Sequence, residues 1–254
     1  MSSVTHGLRR RLLIPAWQAA AVAGAAGVSE RVPTELLEGS AGDPIPTSDS
    51  VLAADGTPSA PAMATFAITA GPARLVLRAG TAYRRRLTLL GLGDELGASL
   101  ARDLDAPEEA RPVEHSVFSL ELLAEELLRC LPVVPLDPSP RAGLRRADPA
   151  LLLAAASGDR SMTPGRVAAG AQAEVLSALS DRFDASLEVT AIHDGPPLLV
   201  DRLVWFNADG HWWHARPDSD VHGAPVLDVL PVVPEDLPAA VAPLLSGLLM
   251  AGTS

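Results

Sequence analysis

Lysine is absent from this 254-residue sequence, and all twenty of its Lys+Arg cations are arginine. The absence excludes a phosphate-binding loop of the GxxxxGK type, because Gly91, Gly93 and Gly97 are not followed by lysine and lie in a predicted hairpin. Cysteine is almost absent as well. Cys130 is the only one, which excludes an intrachain disulfide, and its place among helical leucines predicts a buried, unreactive thiol.

Long apolar runs and nucleophile motifs are also missing. No stretch approaches the roughly 18–20 consecutive apolar residues that a membrane-spanning helix requires, so we expect no membrane span. No G-x-S-x-G context positions a serine for hydrolysis. We therefore predict no catalytic residue and no cofactor.

Negative charge dominates the residues that are present. The net charge of −11 and the isoelectric point near 4.9 exclude a nucleic-acid binder, because such a field repels polyanions. Hydrophobic residues make up 48% of the chain, enough for a substantial core at this length. We expect a single globular domain over residues 1–254.

The stretch at 203–217 holds three of the four tryptophans. Asn207 and Gly210 bracket a turn, since Asn tolerates left-handed geometry and Gly takes positive φ without a Cβ clash. Apolar residues alternate on both arms. This pattern predicts a β-hairpin that is buried on at least one face and organises the core.

Apolar patterns elsewhere predict the remaining elements. Leucines spaced by three and four predict a helix from Ser119 to about Leu131, with Glu121, Glu125 and Glu126 on its solvated side. We predict strands at 65–69, 74–78, 87–92, 98–102, 113–118, 186–193 and 226–233. We predict further helices at 148–157 and 163–183 and at the C-terminus, where Pro238 and Pro243 should shorten or kink the last one.

The two halves of the sequence align without a gap when the chain is shifted by 114 positions. The shift places Leu123 on Leu237 and Leu131 on Leu245, and it repeats the order strand, acidic turn, strand, loop, strand, helix. We predict an α+β fold, in which a pseudo-two-fold duplicated unit of antiparallel sheet plus helices surrounds a shared core. The half-repeats are 62–140 and 148–250. Chance similarity of two ordinary α+β halves is the alternative.

Two interpretations of the N-terminus stay open. The arginines at 9–11 and the alanine-rich stretch after them resemble a secretory signal, including the twin-arginine type. Alternatively, Pro15 lies in the first turn of a short helix that ends near Gly27. We favour the helix, because Pro15 and Trp17 interrupt the apolar run, and we expect a cytoplasmic protein.

Two groups of side chains are candidates for chemistry. His211, His214 and Asp218 could form part of a zinc site, but residues three apart on a strand project to opposite faces, so we predict no metal. A small metal-dependent hydrolase at this region remains an alternative. The arginines at 84–86 could bind an anion or an acidic partner, or could simply be solvated.

An N-terminal helix, the segment VLAADGTPSAP at 51–61 and a duplicated sheet-plus-helix unit ending in PEDLPAAVAPLL at 234–245 resemble the EspG family, which is associated with type VII (ESX) secretion in actinobacteria. The resemblance spans about 12–249 and transfers no functional residue. It implies a cytoplasmic, non-enzymatic chaperone that holds the helical tip of a PE/PPE-like substrate soluble until export. An exported interaction protein is a further alternative.

A chaperone of this kind needs an apolar surface with a polar rim, complementary to a helical substrate. We expect that surface on the sheet and the C-terminal helices of the second half. The apolar candidates are Trp212, Trp213, Leu244 and Leu248. The rim candidates are Tyr83, Arg84, Arg85 and Arg86.

Overall fold

A single antiparallel β-sheet is the largest element of the described structure. The computed structural model describes residues 9–39, 51–53, 55–81, 83–106, 111–134, 183–195, 199–208, 210–219 and 225–251. Within these residues one antiparallel sheet has nine strands in the order β1-β5-β4-β3-β2-β6-β7-β8-β9. The strands are β1 (Arg9–Ile14), β2 (Ala73–Thr81), β3 (Arg85–Leu92), β4 (Leu96–Asp103), β5 (Val113–Ser119), β6 (Phe183–His193), β7 (Leu199–Ala208), β8 (His211–Ser219) and β9 (Pro225–Val232).

Helices lie on both faces of this sheet, which confirms the predicted α+β class. They are α1 (Ala16–Ala25), α2 (Thr34–Leu37), α3 (Ala60–Thr69), α4 (Leu123–Leu128) and α5 (Leu237–Ala251), with short 3₁₀ turns at Ser29–Arg31, Leu120–Leu122 and Pro234–Asp236. No helix in the described part of the chain is both long enough and apolar enough to cross a bilayer.

The alternation of side chains along each strand divides the core into two layers. On one face, Leu87, Leu89 and Leu100 pack with α1, α2 and α3. On the other face, Leu75 and Trp205 pack with α4 and α5. The centre of the sheet is therefore covered on both sides. The arginines at 74 and 78 alternate with apolar residues, a pattern that predicts a half-exposed strand, and this prediction is wrong because Val76 and Arg74 are buried as well.

The predicted tryptophan hairpin is confirmed as β7 and β8. Gly210 supplies the turn with φ of 72°. Trp205 and Trp212 share one face with ring centroids 6.4 Å apart, while Phe206 and Trp213 pair on the other face. All four rings are buried, so the hairpin is buried on both faces.

Two segments differ from the predicted elements. Residues 65–69, predicted as a strand, belong to α3, because the Ser59 hydroxyl accepts a hydrogen bond from the amide of Ala62 and Pro61 occupies the first turn. Helix α1 follows Pro15 as expected, but residues 9–14 ahead of it form the edge strand β1, which pairs with β5.

The helix predicted after Ser119 is shorter than expected, and its serine makes no capping hydrogen bond. Helix α5 continues through Pro243 rather than ending there. Cys130 is buried as predicted, and burial raises the pKa of its thiol. The helix predicted at 148–157 lies outside the described residues, as does the helix predicted at 163–183 except for its last residue, Phe183, which begins β6.

Candidate functional site

The apolar residues predicted to contact a partner lie in the core instead. Leu244 and Leu248 face inward from α5 and pack with Trp212 against the sheet, and Trp213 is buried on the opposite face. The reason is that α5 uses the residues at helical spacing to cover the sheet. These four side chains form no exposed surface in this structure.

The rim candidates are at the surface. Tyr83, the only tyrosine in the chain, is 92% exposed at the tip of the β2–β3 hairpin. The Thr81 hydroxyl accepts hydrogen bonds from the amides of Tyr83 and Arg84, at 3.3 and 3.1 Å, and the Thr81 amide donates to the Arg84 carbonyl at 2.8 Å. These hydrogen bonds join Thr81 to Tyr83 and Arg84, and the aromatic ring of Tyr83 is exposed to solvent.

The arginines at 84–86 pair with acids of the same chain. Arg84 donates to Asp103, and Arg86 pairs with both Asp103 and Glu114 at 3.3 and 3.0 Å. Arg85 pairs with Asp105 at 2.6 Å, and the hydrogen bond lowers the pKa of that carboxyl. The positive charge of the run is thus largely balanced within the protein.

The histidine pair of the metal hypothesis is divided between the two faces of the sheet. His214 lies opposite Trp205 on the face of α5, with ring centroids 6.2 Å apart, and His211 is three positions away along β8. The side chain of Asp218 is outside the described residues. Among the described residues no group of three or more His, Cys, Asp or Glu side chains is placed to hold a metal ion.

A cleft of about 500 Å³ lies between α2, the central strands and the segment that follows β4. Among the described residues, five arginines line it, namely Arg78, Arg85, Arg86, Arg111 and Arg202. Three glutamates line it as well, namely Glu35, Glu38 and Glu188. Because the strands come from both halves of the sheet, the predicted rim arginines are brought together with residues more than a hundred positions away.

Cross-strand pairing places the charges on the floor of the cleft. Arg78 in β2 lies opposite Glu188 in β6, and Arg202 in β7 makes an ion pair with Glu188 at 2.8 Å. Arg78 also reaches Glu35 of α2 at 3.5 Å. Opposite charges on neighbouring strands stabilise the pairing and orient the side chains.

Buried Arg102 fixes the wall of the cleft. Its Nη1 donates to the carbonyl of Glu35 at 2.9 Å and also to that of Glu38, and its Nε donates to the carbonyl of Arg111 at 3.0 Å. A cation at the carboxyl end of a helix satisfies carbonyls that have no partner within the helix. Arg102 thereby holds α2 and the segment before β5 against β4.

Arg111 differs from the other arginines of the cleft. In the described part of the chain its guanidinium makes no hydrogen bond or ion pair, and its Nε is buried. The carboxylate of Glu38 has no such partner among the described residues either. Within the described part of the chain, the cleft therefore presents a donor fork and an acceptor that make no hydrogen bond or ion pair. No pattern in the sequence marks Arg111, because its setting depends on Arg102.

A second charge cluster joins β1 to α4. Glu126, predicted to be solvated, is 1% exposed and pairs with Arg9, Arg11 and Arg129 at 3.0, 2.7 and 2.8 Å. Burial opposes its ionisation, but hydrogen bonds from Arg11 and Arg129 outweigh that effect and lower its pKa. The prediction for Glu126 is wrong because the edge strand covers this side of α4. We assign the cluster a structural role.

Comparison with known proteins adds little to this description. No family model matches the chain, and no curated protein matches it. Among solved structures, the crystal structure of HtdX from Mycobacterium tuberculosis is 17% identical over 89% of this chain and 100% of that chain, with a TM-score of 0.17. A likeness at that TM-score supports no statement about fold or function.

Proposed function

We propose that this protein is a cytoplasmic chaperone of the EspG type, which binds the helical tip of a PE/PPE-like substrate of a type VII secretion system and catalyses no reaction. The resemblance in sequence motivates the partner. The structural observation that supports it is Tyr83, whose side chain is 92% exposed on the hairpin tip. The tip adjoins the arginine-lined cleft, since Gly80 and Arg85 on its two strands line that cleft.

Tyrosine and arginine are the residue types that contribute most to binding at protein interfaces. The hydrogen bonds that Thr81 makes with Tyr83 and Arg84 reduce the conformational entropy that these residues lose when a partner binds. Tyr83 with the adjoining cleft therefore replaces the buried tryptophans as the centre of the proposed surface. Arg84 and Arg85 remain on its rim.

The outward face of α5 supplies a second apolar surface for the proposed partner. Leu249 and Met250 are 63% and 71% exposed, and no charged residue occurs between positions 237 and 254. Exposed apolar residues on a helix without charges are typical of contact surfaces. In this proposal the outward residues of α5 replace Leu244 and Leu248, which face the core.

We further infer that the sheet is built from two copies of one unit, at 62–140 and 148–250. In each half four consecutive strands pair in sequence, β2 to β5 and β6 to β9, and a 3₁₀ turn and a helix follow the fourth strand. The turns Leu120–Leu122 and Pro234–Asp236 are 114 positions apart, which is the shift that aligns the sequence.

Pairing at the centre of the sheet supports a pseudo-two-fold axis between these units. Strands β2 and β6 are antiparallel neighbours, and Val76 pairs with Thr190, which is 114 positions further along the chain. A two-fold axis between two strands requires that a residue pair with its own counterpart. Away from the axis the offset between equivalent residues departs from 114 by one position. Leu90 in β3 and Leu203 in β7 occupy equivalent places in the sheet but are 113 positions apart.

Co-expression tests the proposed function. The full chain would be produced together with each PE/PPE-like pair encoded near its gene, and the mixture would be separated by size exclusion. The proposal predicts a stable heteromeric complex with at least one pair. Failure to co-elute with every such pair, with both partners folded, would contradict it.

A further inference from the structure

We infer that the cleft is a carboxylate-recognition site centred on Arg111. The assignment of its natural ligand, an acidic segment of the bound partner, rests on the proposed function. The recognition of a carboxylate does not, because it follows from the donors and acceptors that the cleft leaves unused.

The donors of Arg111 carry the inference. A guanidinium offers five N–H groups in a planar fork that matches the two oxygens of a carboxylate. The Nε of Arg111 is buried with no hydrogen-bond partner among the described residues. Buried donors in folded proteins almost always have an acceptor. An acceptor that enters the cleft would pair with this guanidinium without displacing any ion pair of the described residues.

The other arginines set the charge that the ligand meets. Arg78 and Arg202 are already paired with Glu35 and Glu188, and Arg85 is paired outside the cleft. Arg86 is paired with Asp103 and Glu114. Among the described residues this leaves Arg111 as the cleft arginine that makes no ion pair, since Asp105 acts on it only through a longer-range Coulombic interaction, and that favours a singly charged carboxylate. Three glutamates in the lining disfavour a doubly charged phosphate or sulfate.

The ligand should also bring an N–H donor and an aliphatic portion. The Glu38 carboxylate, which has no hydrogen-bond or ion-pair partner in the described residues, is an acceptor in the same cleft. Leu87, Leu104 and Val204 form apolar parts of the wall. A volume of about 500 Å³ is within the range of ligand sites, about 300–1,000 Å³. A peptide segment with an acidic side chain provides all three features.

Titration of the full-length protein tests the site without the natural partner. The probe is the peptide acetyl-Ala-Glu-Leu-Glu-Ala-amide, and the controls are its Gln-for-Glu form, free glutamate and sodium sulfate. Calorimetry and shifts of backbone amide resonances report binding. We expect saturable binding of the acidic peptide, weaker binding of the Gln form, and no saturable binding of sulfate. Free glutamate binding as tightly as the peptide would overturn the assignment to a partner segment.

Variants assign the binding to Arg111. Arg111→Gln removes the charge, and Arg111→Lys keeps the charge but removes the fork. Each of the two variants should bind the acidic peptide about tenfold or more weakly than the wild type. Arg31→Gln, which removes an exposed arginine outside the cleft that pairs with Asp194, should leave the affinity unchanged. Equal affinity in wild type and both Arg111 variants, or no saturable binding at all, would overturn the site.

The two failures can be told apart. If Arg111→Gln no longer binds the acidic peptide but no PE/PPE-like protein forms a complex with the wild type, the carboxylate site is supported and the proposed function is contradicted. If the complex forms equally well with Arg111→Gln, the proposed function stands and the site fails.

Discussion

The ring of Phe66 in α3 lies 5.1 Å from the ring of His115 in β5, and neither nitrogen of that buried imidazole has a hydrogen-bond partner in the described chain. Burial lowers the pKa of His115 to about 4, and the charge of Arg10 acts in the same direction. The helical layer formed by α1, α2 and α3 therefore packs over a histidine that must stay neutral. This relationship makes stability depend on pH.

Acid should destabilise the protein through His115. In the unfolded chain its pKa is about 6.5, so the unfolded state binds the proton first as the pH falls. The folded state loses stability from about pH 6.5 downward, and the loss approaches about 3 kcal/mol near pH 4. Urea unfolding at pH 7, 5.5 and 4.5 measures it. In His115→Leu the free energy of unfolding should fall less steeply over this range, and identical pH dependence in both proteins would refute this explanation.

Removing the buried carboxylate of Glu126 should also destabilise the fold. Glu126→Gln leaves Arg9, Arg11 and Arg129 without their shared partner, and we expect a loss of about 3 kcal/mol in the free energy of unfolding. The neighbouring Glu125, whose side chain is 61% exposed and whose ion pair in the described part of the chain is with Arg9, is the matched control. Glu125→Gln should cost less than about 1 kcal/mol. Equal losses in the two variants would show that burial of Glu126 is not the cause.

Alanine substitutions at Gly91 and Gly24 should change the stability of the protein in opposite directions. A Cβ at Gly91 would overlap the carbonyl oxygen of Ile68, where α3 crosses β3, so Gly91→Ala should lose about 2 kcal/mol or more. Gly24 lies within α1, and the nearest atom to its added Cβ is Ser29 Oγ at 3.9 Å. Gly24→Ala should therefore gain up to about 1 kcal/mol. Thermal unfolding of both variants checks the pair, and a stable Gly91→Ala protein would contradict the close approach of helix and sheet.

Local patterns in the sequence were sufficient for most strands. The tryptophan hairpin could be predicted because its turn residues and its alternation both act over a few positions. Helix α3 was missed because Thr65, Ile68 and Thr69 have strand-forming side chains, although the capping Ser59 and Pro61 gave a helix signal that was available.

Charges were the least predictable feature, because their settings depend on contacts between distant residues. Arg11 and Glu126 are 115 positions apart, so their contact cannot be read from the sequence. The burial of Glu126 could then be predicted only from the general rule that acidic residues on a helix face water, and that rule gives the wrong result here. The position of Arg111 depends on the hydrogen bond that Arg102 donates to its carbonyl and on the folded sheet. The candidate cleft could therefore be located only from the structure, whereas the rim role of Tyr83 and its neighbouring arginines stays a prediction from the sequence.

The most direct test of the proposed function compares the affinity of one PE/PPE-like complex for wild type, Tyr83→Ala and Leu13→Ala. Leu13 is exposed on β1, away from the β2–β3 tip, and serves as the control for loss of a surface apolar residue. Calorimetry should give tight binding for wild type and Leu13→Ala, and a loss of about 2 kcal/mol or more for Tyr83→Ala. Equal affinity of all three proteins, or no binding by wild type, would contradict the account.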